Sequence, residues 1–494
     1  MIDFLVIGSG YGGAAIAARL APRGRLLLIE RGKWWEPGQF PRGIAGLTRN
    51  YMSTRNPTGL WAMRLGAGTG NAFASAFGGS SAVNYGITVQ PEDDAFEDWP
   101  VKASELAPYF DKAREVLHPE PNPIGDELGD KQFLDEIEPG RRYDIENTID
   151  WALCDQCGRC VPGCNRGAKR SLDKSYLPLA MNAGAEMCLE TRVTDLAPAS
   201  GGGWRVELTP TAGGDSRRVT AKQVIIAAGT LGTLDLLQRV RDNVPVGPMF
   251  GQRMSMNGDG LAFLYDTRHR LSSHSGAPIS TCARIPFTDP DGKRRTLMVM
   301  SGRVPAAAMR FTGAALTVIG ELIRDRQADV ERQQRWFRRM RDLLTVDGKG
   351  ALSHSFMYKL DGQDSNRGTA NLGNGGASID WADYAEDPLM KFAEQRLGEW
   401  ARKVGGTVVP NVAKLPGMRS FSVHPLGGCR MGADVGDGVV DDVGRVFRPD
   451  GSVYEGLRIA DGSVIRTSLG VPPSFTISAI AERIAASIDS GLAS

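Results

Sequence analysis

The stretch FLVIGSGYGG, residues 4–13, is an apolar strand that runs directly into a glycine-rich turn. Its glycines have the spacing Gly8-x-Gly10-x-x-Gly13, and Glu30 follows about twenty residues later. In this pattern Gly8 permits the tight turn, Gly10 lets the backbone approach a pyrophosphate, and Gly13 lets the next helix pack closely on the strand. The stretch therefore predicts a dinucleotide site.

A helix and a second strand complete this predicted unit. Small residues over 14–20 favour a helix packed tightly on the strand, and an apolar run over 26–29 ends at Glu30. The unpaired N–H groups at the helix N-terminus would face the phosphates. Glu30 would accept hydrogen bonds from the ribose hydroxyls of the adenosine half, and its charge would repel a 2′-phosphate.

The composition is that of a large globular chain with balanced charge. Its 494 residues suffice for two or three domains, with 41% hydrophobic and 23% charged residues. A net charge of +1 indicates no general attraction to nucleic acid or acidic membranes. The nearest approach to a transmembrane segment, 306–323, is interrupted by Arg310 and Glu321. Because the first strand begins at residue 3, we expect no signal peptide and a cytoplasmic protein.

Further strand and helix patterns indicate an α/β chain with a second sheet. A buried strand over 224–229 ends at a glycine and is followed by a helix over 230–239, which adds a second strand–glycine–helix unit. Apolar runs in the region that follows predict an antiparallel sheet with helices on one face, the basis of a substrate domain. These runs are 261–265, 297–301 and 353–360.

Residues 306–342 combine an apolar segment with a charged one. The apolar part, 306–323, is predicted to belong to the core, and the arginine-rich part, 324–342, to be a solvated helix. The alternative is a hydrophobic lid over an apolar substrate, with the basic helix on a membrane or a partner.

Several motifs then follow one another in a fixed order. They are GGSSAVN at 78–84, HPLGGCRMG at 424–432, ADGS at 460–463 and LGVPPSFTI at 469–477. Together with the N-terminal turn, these motifs make the chain resemble the glucose–methanol–choline (GMC) oxidoreductases. The segment CGRCVPGCNRGAK, 157–169, looks most like the bacterial cholesterol-oxidase-like branch of that family.

The resemblance implies an α/β fold with a Rossmann-like FAD-binding domain and a discontinuous α+β substrate domain built on the antiparallel sheet. The FAD-binding segments would be 1–110, 151–250 and 416–494, joined by a lid or connection at 111–150 and a substrate domain at 251–415. The second FAD-binding segment contains a cysteine cluster, and the third contains the catalytic histidine.

The same resemblance implies that the cofactor is noncovalent FAD. The adenosine half would lie on the N-terminal unit, and the isoalloxazine ring between the 79–84 loop and the C-terminal block. None of the five histidines lies ahead of that loop, where some relatives attach the flavin. The residues expected at the cofactor are Gly8, Gly10, Tyr11, Gly13, Glu30, Gly79, Ser80, Asn84, Val193, Gly229, Asp461, Gly462, Pro472 and Ser474.

His424 is the candidate catalytic residue. A histidine can accept a proton near neutral pH, and its neighbours in VHPLGG would hold the imidazole in a rigid turn. A lone histidine is more often structural. The resemblance, however, assigns His424 the family's catalytic role, which is to take the hydroxyl proton of an alcohol as hydride leaves for flavin N5.

Two residues depart from the pattern of these relatives. Pro472 stands where the cholesterol-oxidase-like pattern has an asparagine that binds the reacting oxygen, and Tyr85 stands where many relatives have a glycine. Proline has neither a side-chain donor nor a backbone N–H. The departure argues against ordinary alcohol oxidation and favours a changed reaction such as C–C dehydrogenation or isomerisation.

Four of the seven cysteines, Cys154, Cys157, Cys160 and Cys164, have bacterial ferredoxin spacing, although Asn165 replaces the usual proline. Three interpretations stay open. An iron–sulfur cluster would take electrons singly from the reduced flavin and would make the enzyme a dehydrogenase with a protein acceptor. A structural zinc site is the second interpretation. Free thiols or a local disulfide are the third.

These observations predict an FAD-dependent oxidoreductase that acts on an apolar hydroxylated substrate, such as a sterol, a terpenoid or another alcohol. The alternative is a flavin-dependent desaturase, dehydrogenase or isomerase that passes electrons to an iron–sulfur cluster and an acceptor protein. A nonenzymatic electron carrier is a third hypothesis, and the intact His424 motif argues against it.

Overall fold

The computed structural model describes residues 1–125, 129–271, 279–303, 316, 332–344, 349–373, 375–409 and 418–491. In these ranges the helices are α1 Tyr11–Leu20, α2 Gly43–Arg49, α3 Ala103–Leu117, α4 Asp130–Ile137, α5 Tyr176–Asn182, α6 Thr230–Arg239, α7 Arg332–Leu344, α8 Pro388–Val404 and α9 Ser474–Gly491. The strands are β1 Ile2–Ile7, β2 Leu26–Ile29, β3 Trp61–Gly66, β4 Gly68–Ala74, β5 Ile87–Thr88, β6 Glu120–Pro121, β7 Arg142–Asp144, β8 Glu146–Asn147, β9 Glu186–Cys188, β10 Thr191–Pro198, β11 Trp204–Pro210, β12 Arg217–Ile226, β13 Gly260–Tyr265, β14 Thr281–Thr288, β15 Arg294–Gly302, β16 Phe356–Gly362, β17 Thr369–Asn371, β18 Ser378–Asp380, β19 Thr407–Val409, β20 Met418–Ser422, β21 Arg445–Phe447 and β22 Val453–Ile459.

The central sheet is parallel around the first strand. β1 pairs in parallel with β2 on one side and with β12 on the other, so that Val6 lies opposite Leu28 and Ile225. β9 continues the sheet beyond β2, and β22 pairs in parallel with the end of β12. Nearly all residues of β1 and β2 are buried, as in parallel sheets covered on both faces. The predicted strand–helix–strand unit is confirmed.

The first helix is made of small residues, and this composition sets its packing. Ala14, Ala15 and Ala17 are fully buried in α1. Because none of them has a bulky side chain, α1 packs closely against α5 and against α9, the last helix of the chain. The N-terminal and C-terminal segments are thereby parts of one hydrophobic core.

The second sheet has the strand order β19-β13-β16-β15-β14-β7, and all its pairs are antiparallel. Helices α4 and α8 pack on one face, where Phe133 stacks on Phe356 and Trp400 packs on Tyr358 of the central strand β16. Successive residues of a strand point to opposite faces. The opposite face of β16 therefore carries Lys359 and Asp361. The predicted antiparallel sheet with helices on one face is confirmed.

Three details differ from what the sequence suggested. β12 is one continuous strand of ten residues that begins at Arg217, seven residues before the predicted run over 224–229. β14 was not predicted, because Arg284 and Pro286 interrupt its apolar pattern. β7 comes from the predicted lid segment, yet it pairs with β14 at the edge of the second sheet.

The predicted lid over the substrate lies almost entirely outside the described residues, since only Leu316 of 306–323 is described. Helix α7 occupies the described part of the predicted charged helix. The predicted domain boundaries stay predictions, and the one at residue 110 falls within α3. In the part of the chain that the structure describes, no helix has both the length and the apolar character to cross a membrane.

Candidate active site

In the N-terminal glycine turn, Gly8 and Gly13 are packed against other backbone atoms, whereas Gly10 has free space beside it. A Cβ atom on Gly8, which has a φ of +101°, would lie 2.2 Å from the carbonyl oxygen of Ala227, and one on Gly13 would lie 1.9 Å from the carbonyl oxygen of Gly8. A Cβ on Gly10 would meet no atom within 4 Å. Helix α1 begins there without a side-chain cap, so its first N–H groups are available. These features fit a bound phosphate.

Glu30 lies at the carboxyl end of β2 and supports this turn. Its Oε2 accepts hydrogen bonds from Ser9 N at 3.1 Å and Ser9 Oγ at 2.6 Å, and its Oε1 accepts one from Gly32 N at 2.8 Å. Ser9 Oγ in turn accepts from Gly78 N at 2.9 Å. Glu30 thus connects the turn to the start of the 79–84 loop, and its contact with a ribose stays a prediction.

The 79–84 loop packs directly on the N-terminal turn. A Cβ on Gly79 would lie 2.8 Å from Gly10 Cα, and Asn84 Nδ2 donates to Tyr11 Oη at 2.7 Å. Ser80 is exposed. The structure therefore brings together four of the residues predicted at the cofactor, from positions about seventy residues apart in the chain.

Asp461 joins the second glycine turn to the C-terminal block. Its Oδ2 accepts hydrogen bonds from Gly229 N at 3.0 Å and Thr233 Oγ1 at 2.5 Å. Burial raises the pKa of this carboxyl above its usual range, despite these donors. A Cβ on Gly12 would lie 1.6 Å from the carbonyl oxygen of Ala460, so the block also touches α1.

The remaining residues predicted at the cofactor lie on neighbouring elements. Val193 is on β10, two residues after Thr191, whose N–H donates to the carbonyl oxygen of Glu30 at 2.9 Å. Gly462 begins the short 3-10 helix that follows Asp461, and Ser474 is the first residue of α9.

His424 faces two buried carboxylates. Its Nδ1 lies 3.2 Å from Asp361 Oδ1 and 3.5 Å from Asp259 Oδ2. The imidazole is 18% exposed, whereas the two carboxylate side chains are 0% and 4% exposed. The predicted catalytic histidine therefore presents one ring nitrogen to the protein interior.

Lys359 completes this group of charges. Its Nζ donates to Asp361 Oδ1 at 2.8 Å and forms a second, shorter hydrogen bond with Asp259 Oδ1. Burial alone would raise the pKa of Asp259, but the neighbouring Lys359 ammonium group and the His424 imidazole bring it below its usual range. Burial alone would lower the pKa of Lys359, but the two carboxylates raise it. Lys359 and Asp259 are therefore ionised at neutral pH.

Backbone and hydroxyl groups hold the turn that carries His424. Ser422 Oγ accepts from His424 N at 2.9 Å and donates to Asp259 Oδ2 at 3.0 Å. Val423 N donates to the same carboxylate oxygen at 2.6 Å. The imidazole position is thus set by β20, by the turn before β13 and by β16.

The ligand atoms of Asp259, Asp361 and His424 lie within 4.8 Å of one another, the spacing of a metal site. The Lys359 ammonium group, however, already neutralises one of the two carboxylate charges and is hydrogen-bonded to both. A divalent cation would have to displace it. We therefore interpret these residues as an ion-pair network that serves the histidine.

Pro472 is buried beside this network. Asn257 Nδ2 donates to the carbonyl oxygen of Val471 at 2.8 Å, and the carbonyl oxygen of Asn257 accepts from Gly362 N at 3.0 Å. Asn257 thus places the residue before Pro472 next to the residue after Asp361. Proline supplies no donor at this point.

The cysteines do not form a compact site. All seven are free thiols, and no three sulfurs lie within 4.8 Å of one another among the described residues, which include all four of the predicted cluster. Burial raises the pKa of the Cys160 thiol to about 12. Neither zinc nor an iron–sulfur cluster gains support from this arrangement.

Comparison with known proteins decides the family. A family model described as GMC oxidoreductase matches residues 3–243 with its N-terminal part and residues 322–481 with its C-terminal part. The chain belongs to the GMC oxidoreductase family. It is therefore an FAD-dependent oxidoreductase, and the family predicted from the motifs is confirmed.

The relatives of this GMC protein are distant but cover its whole length. Cholesterol oxidase from Mycobacterium tuberculosis is 26% identical over 98% of this chain and 90% of its own length. Cholesterol oxidase from Acinetobacter baumannii is 25% identical over 97% and 93%. A long-chain-alcohol oxidase from Arabidopsis thaliana is 25% identical over 97% of this chain and 65% of its own length.

Solved structures show the same fold. Pyridoxine 4-oxidase from Mesorbium loti superposes with a TM-score of 0.66 at 17% identity, with 99% of both chains covered. A fungal aryl-alcohol oxidase superposes with a TM-score of 0.62 at 16% identity, covering 100% of this chain and 99% of its own. The GMC fold extends over the whole chain.

The charges behind His424 were not predicted from the sequence. One signal was available: Lys359 and Asp361 stand two residues apart in an otherwise apolar strand, which places both on one face. Asp259 and Asn257 gave no comparable signal, because they lie in a short turn between other elements.

Proposed function

We propose that this GMC oxidoreductase oxidises the CH–OH group of an apolar alcohol to a carbonyl group, with His424 as the acid/base. The observation that carries the proposal is the contact of His424 Nδ1 with Asp361 Oδ1 at 3.2 Å. A carboxylate accepts a hydrogen bond, so we assign the ring proton to Nδ1. Nε2 is then the nitrogen that takes the substrate's hydroxyl proton.

The charge of the network suits this proton transfer. Two carboxylates and one ammonium group give a net charge of −1 beside the imidazole, and protonation of His424 neutralises it. When bound, FAD supplies the ring that accepts the hydride, and hence both electrons, from the carbon. The hydroxyl proton moves to His424 Nε2, and the C–O bond becomes a carbonyl.

The named relatives support an apolar alcohol as the substrate class. They include cholesterol oxidases and a long-chain-alcohol oxidase. Pro472 adds no second donor at the reacting oxygen, so His424 would be the main polar contact of that oxygen. No contact among the described residues favours an iron–sulfur route or a protein acceptor over direct reoxidation by oxygen.

Anaerobic flavin bleaching tests the proposal. We expect a panel of sterols, long-chain alcohols and aryl alcohols to include compounds that reduce the bound flavin of the wild-type protein. His424→Gln should lower the reduction rate at least about 100-fold, because general base catalysis contributes that much. His118→Ala, at the end of α3, is the control and should leave the rate unchanged.

Reduction of the His424→Gln flavin at the wild-type rate would overturn the assignment of the base. A product that is an isomer or an alkene rather than a carbonyl compound would overturn the assigned reaction. Peroxide formed in air would identify oxygen as the electron acceptor.

A further inference from the structure

Lys169 connects the cysteine segment (residues 154–169) to the 79–84 loop. Its Nζ donates to the carbonyl oxygens of Ala82 at 2.7 Å, Asn84 at 2.9 Å and Cys160 at 3.3 Å. The residue is 3% exposed. All three hydrogens of the ammonium group are therefore used, two of them on the loop and one on the cysteine segment.

This buried charge has carbonyl dipoles as its hydrogen-bond partners and, within the described residues, no carboxylate. The titratable and charged groups around it are Cys160, Cys164, Asp173 and Lys174, and no side chain of these four is hydrogen-bonded to it. Burial lowers the pKa of Lys169 to about 8. A buried cation without a counterion is unfavourable for stability, so its position calls for another explanation.

The same loop is also attached to the N-terminal turn. Gly79 lies against Gly10, the open residue of the turn, and Asn84 is bonded to Tyr11 at the start of α1. Two separate elements thus hold the loop. The N-terminal turn contacts both its first and its last residue, and Lys169 binds the carbonyl oxygens near its end.

We propose that Lys169 is a positioning residue for FAD. It holds the 79–84 loop against the N-terminal turn and supplies a positive charge near the flavin ring. This rests on the proposed function and on the flavin position expected from the sequence, with the ring between that loop and the C-terminal block. The cysteine segment then serves to carry Lys169 to the loop, independently of any metal.

Two measurable properties follow from this role. Loss of the hydrogen bonds would release the loop and weaken FAD binding. Loss of the charge would disfavour the reduced flavin, which is the more anionic form, and would lower the reduction potential of the bound cofactor.

Lys169→Met is the first test, since methionine has a similar length and no charge. We expect the Kd of the apoprotein for FAD to rise about 10- to 100-fold, in line with the loss of hydrogen bonds from a charged donor. The reduction potential should fall. Lys391→Met is the control: Lys391 is an exposed lysine of α8 that pairs with Glu386, and its loss should change neither value.

A folded Lys169→Met protein with wild-type Kd and wild-type potential would overturn the proposal. The second test needs no variant and applies even if Lys169→Met fails to fold. The rate of FAD release from the wild-type protein is measured from pH 7 to pH 10. We expect it to rise with pH, because a neutral amine has two hydrogens for three carbonyl acceptors. A flat profile would also overturn the proposal.

The two proposals fail separately. His424→Gln should bind FAD with the wild-type Kd and lose reduction by substrate, whereas Lys169→Met should lose affinity for FAD itself. Normal reduction in His424→Gln would remove the assigned base and leave the role of Lys169 intact. Normal FAD affinity and potential in Lys169→Met would remove the present inference alone.

Discussion

Among the residues that the structure describes, two lysines are buried, and their surroundings are opposite. Lys359, on the second sheet, lies between two carboxylates, and its pKa is raised. Lys169, after the cysteine segment, is held by three carbonyl groups, and burial lowers its pKa to about 8. The same side chain is therefore permanently charged at one site and able to lose its proton near physiological pH at the other.

The difference separates two ways of using a buried cation. Carboxylate partners make Lys359 a fixed part of an ion network, and removing it leaves uncompensated charges. The carbonyl partners fix the position of the Lys169 ammonium group but neutralise little of its charge. Four experiments test whether this contrast is real.

The largest effect is expected from Lys359→Met. The variant leaves Asp259 and Asp361 buried without their cation, and breaking such a pair costs about 3–5 kcal/mol of stability. Urea unfolding should show this loss, and flavin reduction should fail. Lys222→Met, which removes an exposed lysine paired with Asp3, should change stability by less than about 1 kcal/mol.

A double variant sharpens this result. Lys359→Met combined with Asp361→Asn removes one positive and one negative charge, so its destabilisation should be smaller than the sum of the two single effects. Simple additivity of the two effects would contradict the ion network.

A smaller effect is expected from pH in the FAD-free protein. Lys169 has a folded pKa of about 8, below the ordinary value of 10.5, so between these values the unfolded chain binds the extra proton. As pH rises, the free energy of unfolding of the wild type should therefore increase relative to that of Lys169→Met, by at most about 3 kcal/mol. The contribution of Lys359 to the free energy of unfolding should change with pH in the opposite sense. Its pKa is raised in the folded state, so this contribution is lost as the pH rises past that pKa.

The comparison is made by urea unfolding at pH 7, 8.5 and 10. If the difference between wild type and Lys169→Met does not change with pH, Lys169 keeps its proton and the contrast with Lys359 disappears. Over the same pH range, loss of the Lys169 proton should both accelerate the release of FAD and raise the stability of the FAD-free protein.

The smallest effect is expected from the cysteines. Cys154→Ser with Cys157→Ser should leave the Kd for FAD and the visible spectrum unchanged, because neither thiol is among the groups bonded to Lys169. Treatment with a chelator should also leave the spectrum unchanged. Iron in stoichiometric amounts, or absorption lost with the two thiols, would restore the iron–sulfur interpretation.

The sequence predicted those features of the molecule that are determined by residues close together in the chain. The N-terminal turn needs glycines at fixed positions, so Gly8, Gly10 and Gly13 were sufficient to predict the first strand–helix–strand unit. The motif around His424 was similarly contiguous. β14 escaped prediction because Arg284 and Pro286 obscure its alternation, although pairing with β15 makes it a strand.

The charges behind His424 could not be predicted in the same way. They depend on three chain segments that meet only after folding, from Asp259 to His424, and electrostatic pairing over such separations leaves no periodicity. Lys169 is a similar case: its residue type was visible in the cysteine segment, but two of its three carbonyl partners lie more than eighty residues earlier.

The pairing of β22 with β12 has a consequence for synthesis of the protein. Residues 453–459 complete the central sheet, and Ala460, directly after them, backs the first helix of the chain. The proposed FAD site is therefore complete only after residues 453–460 have left the ribosome. We therefore expect FAD to bind only after these residues have been synthesised. A chain truncated before residue 453 should contain the complete N-terminal glycine turn and still fail to retain FAD.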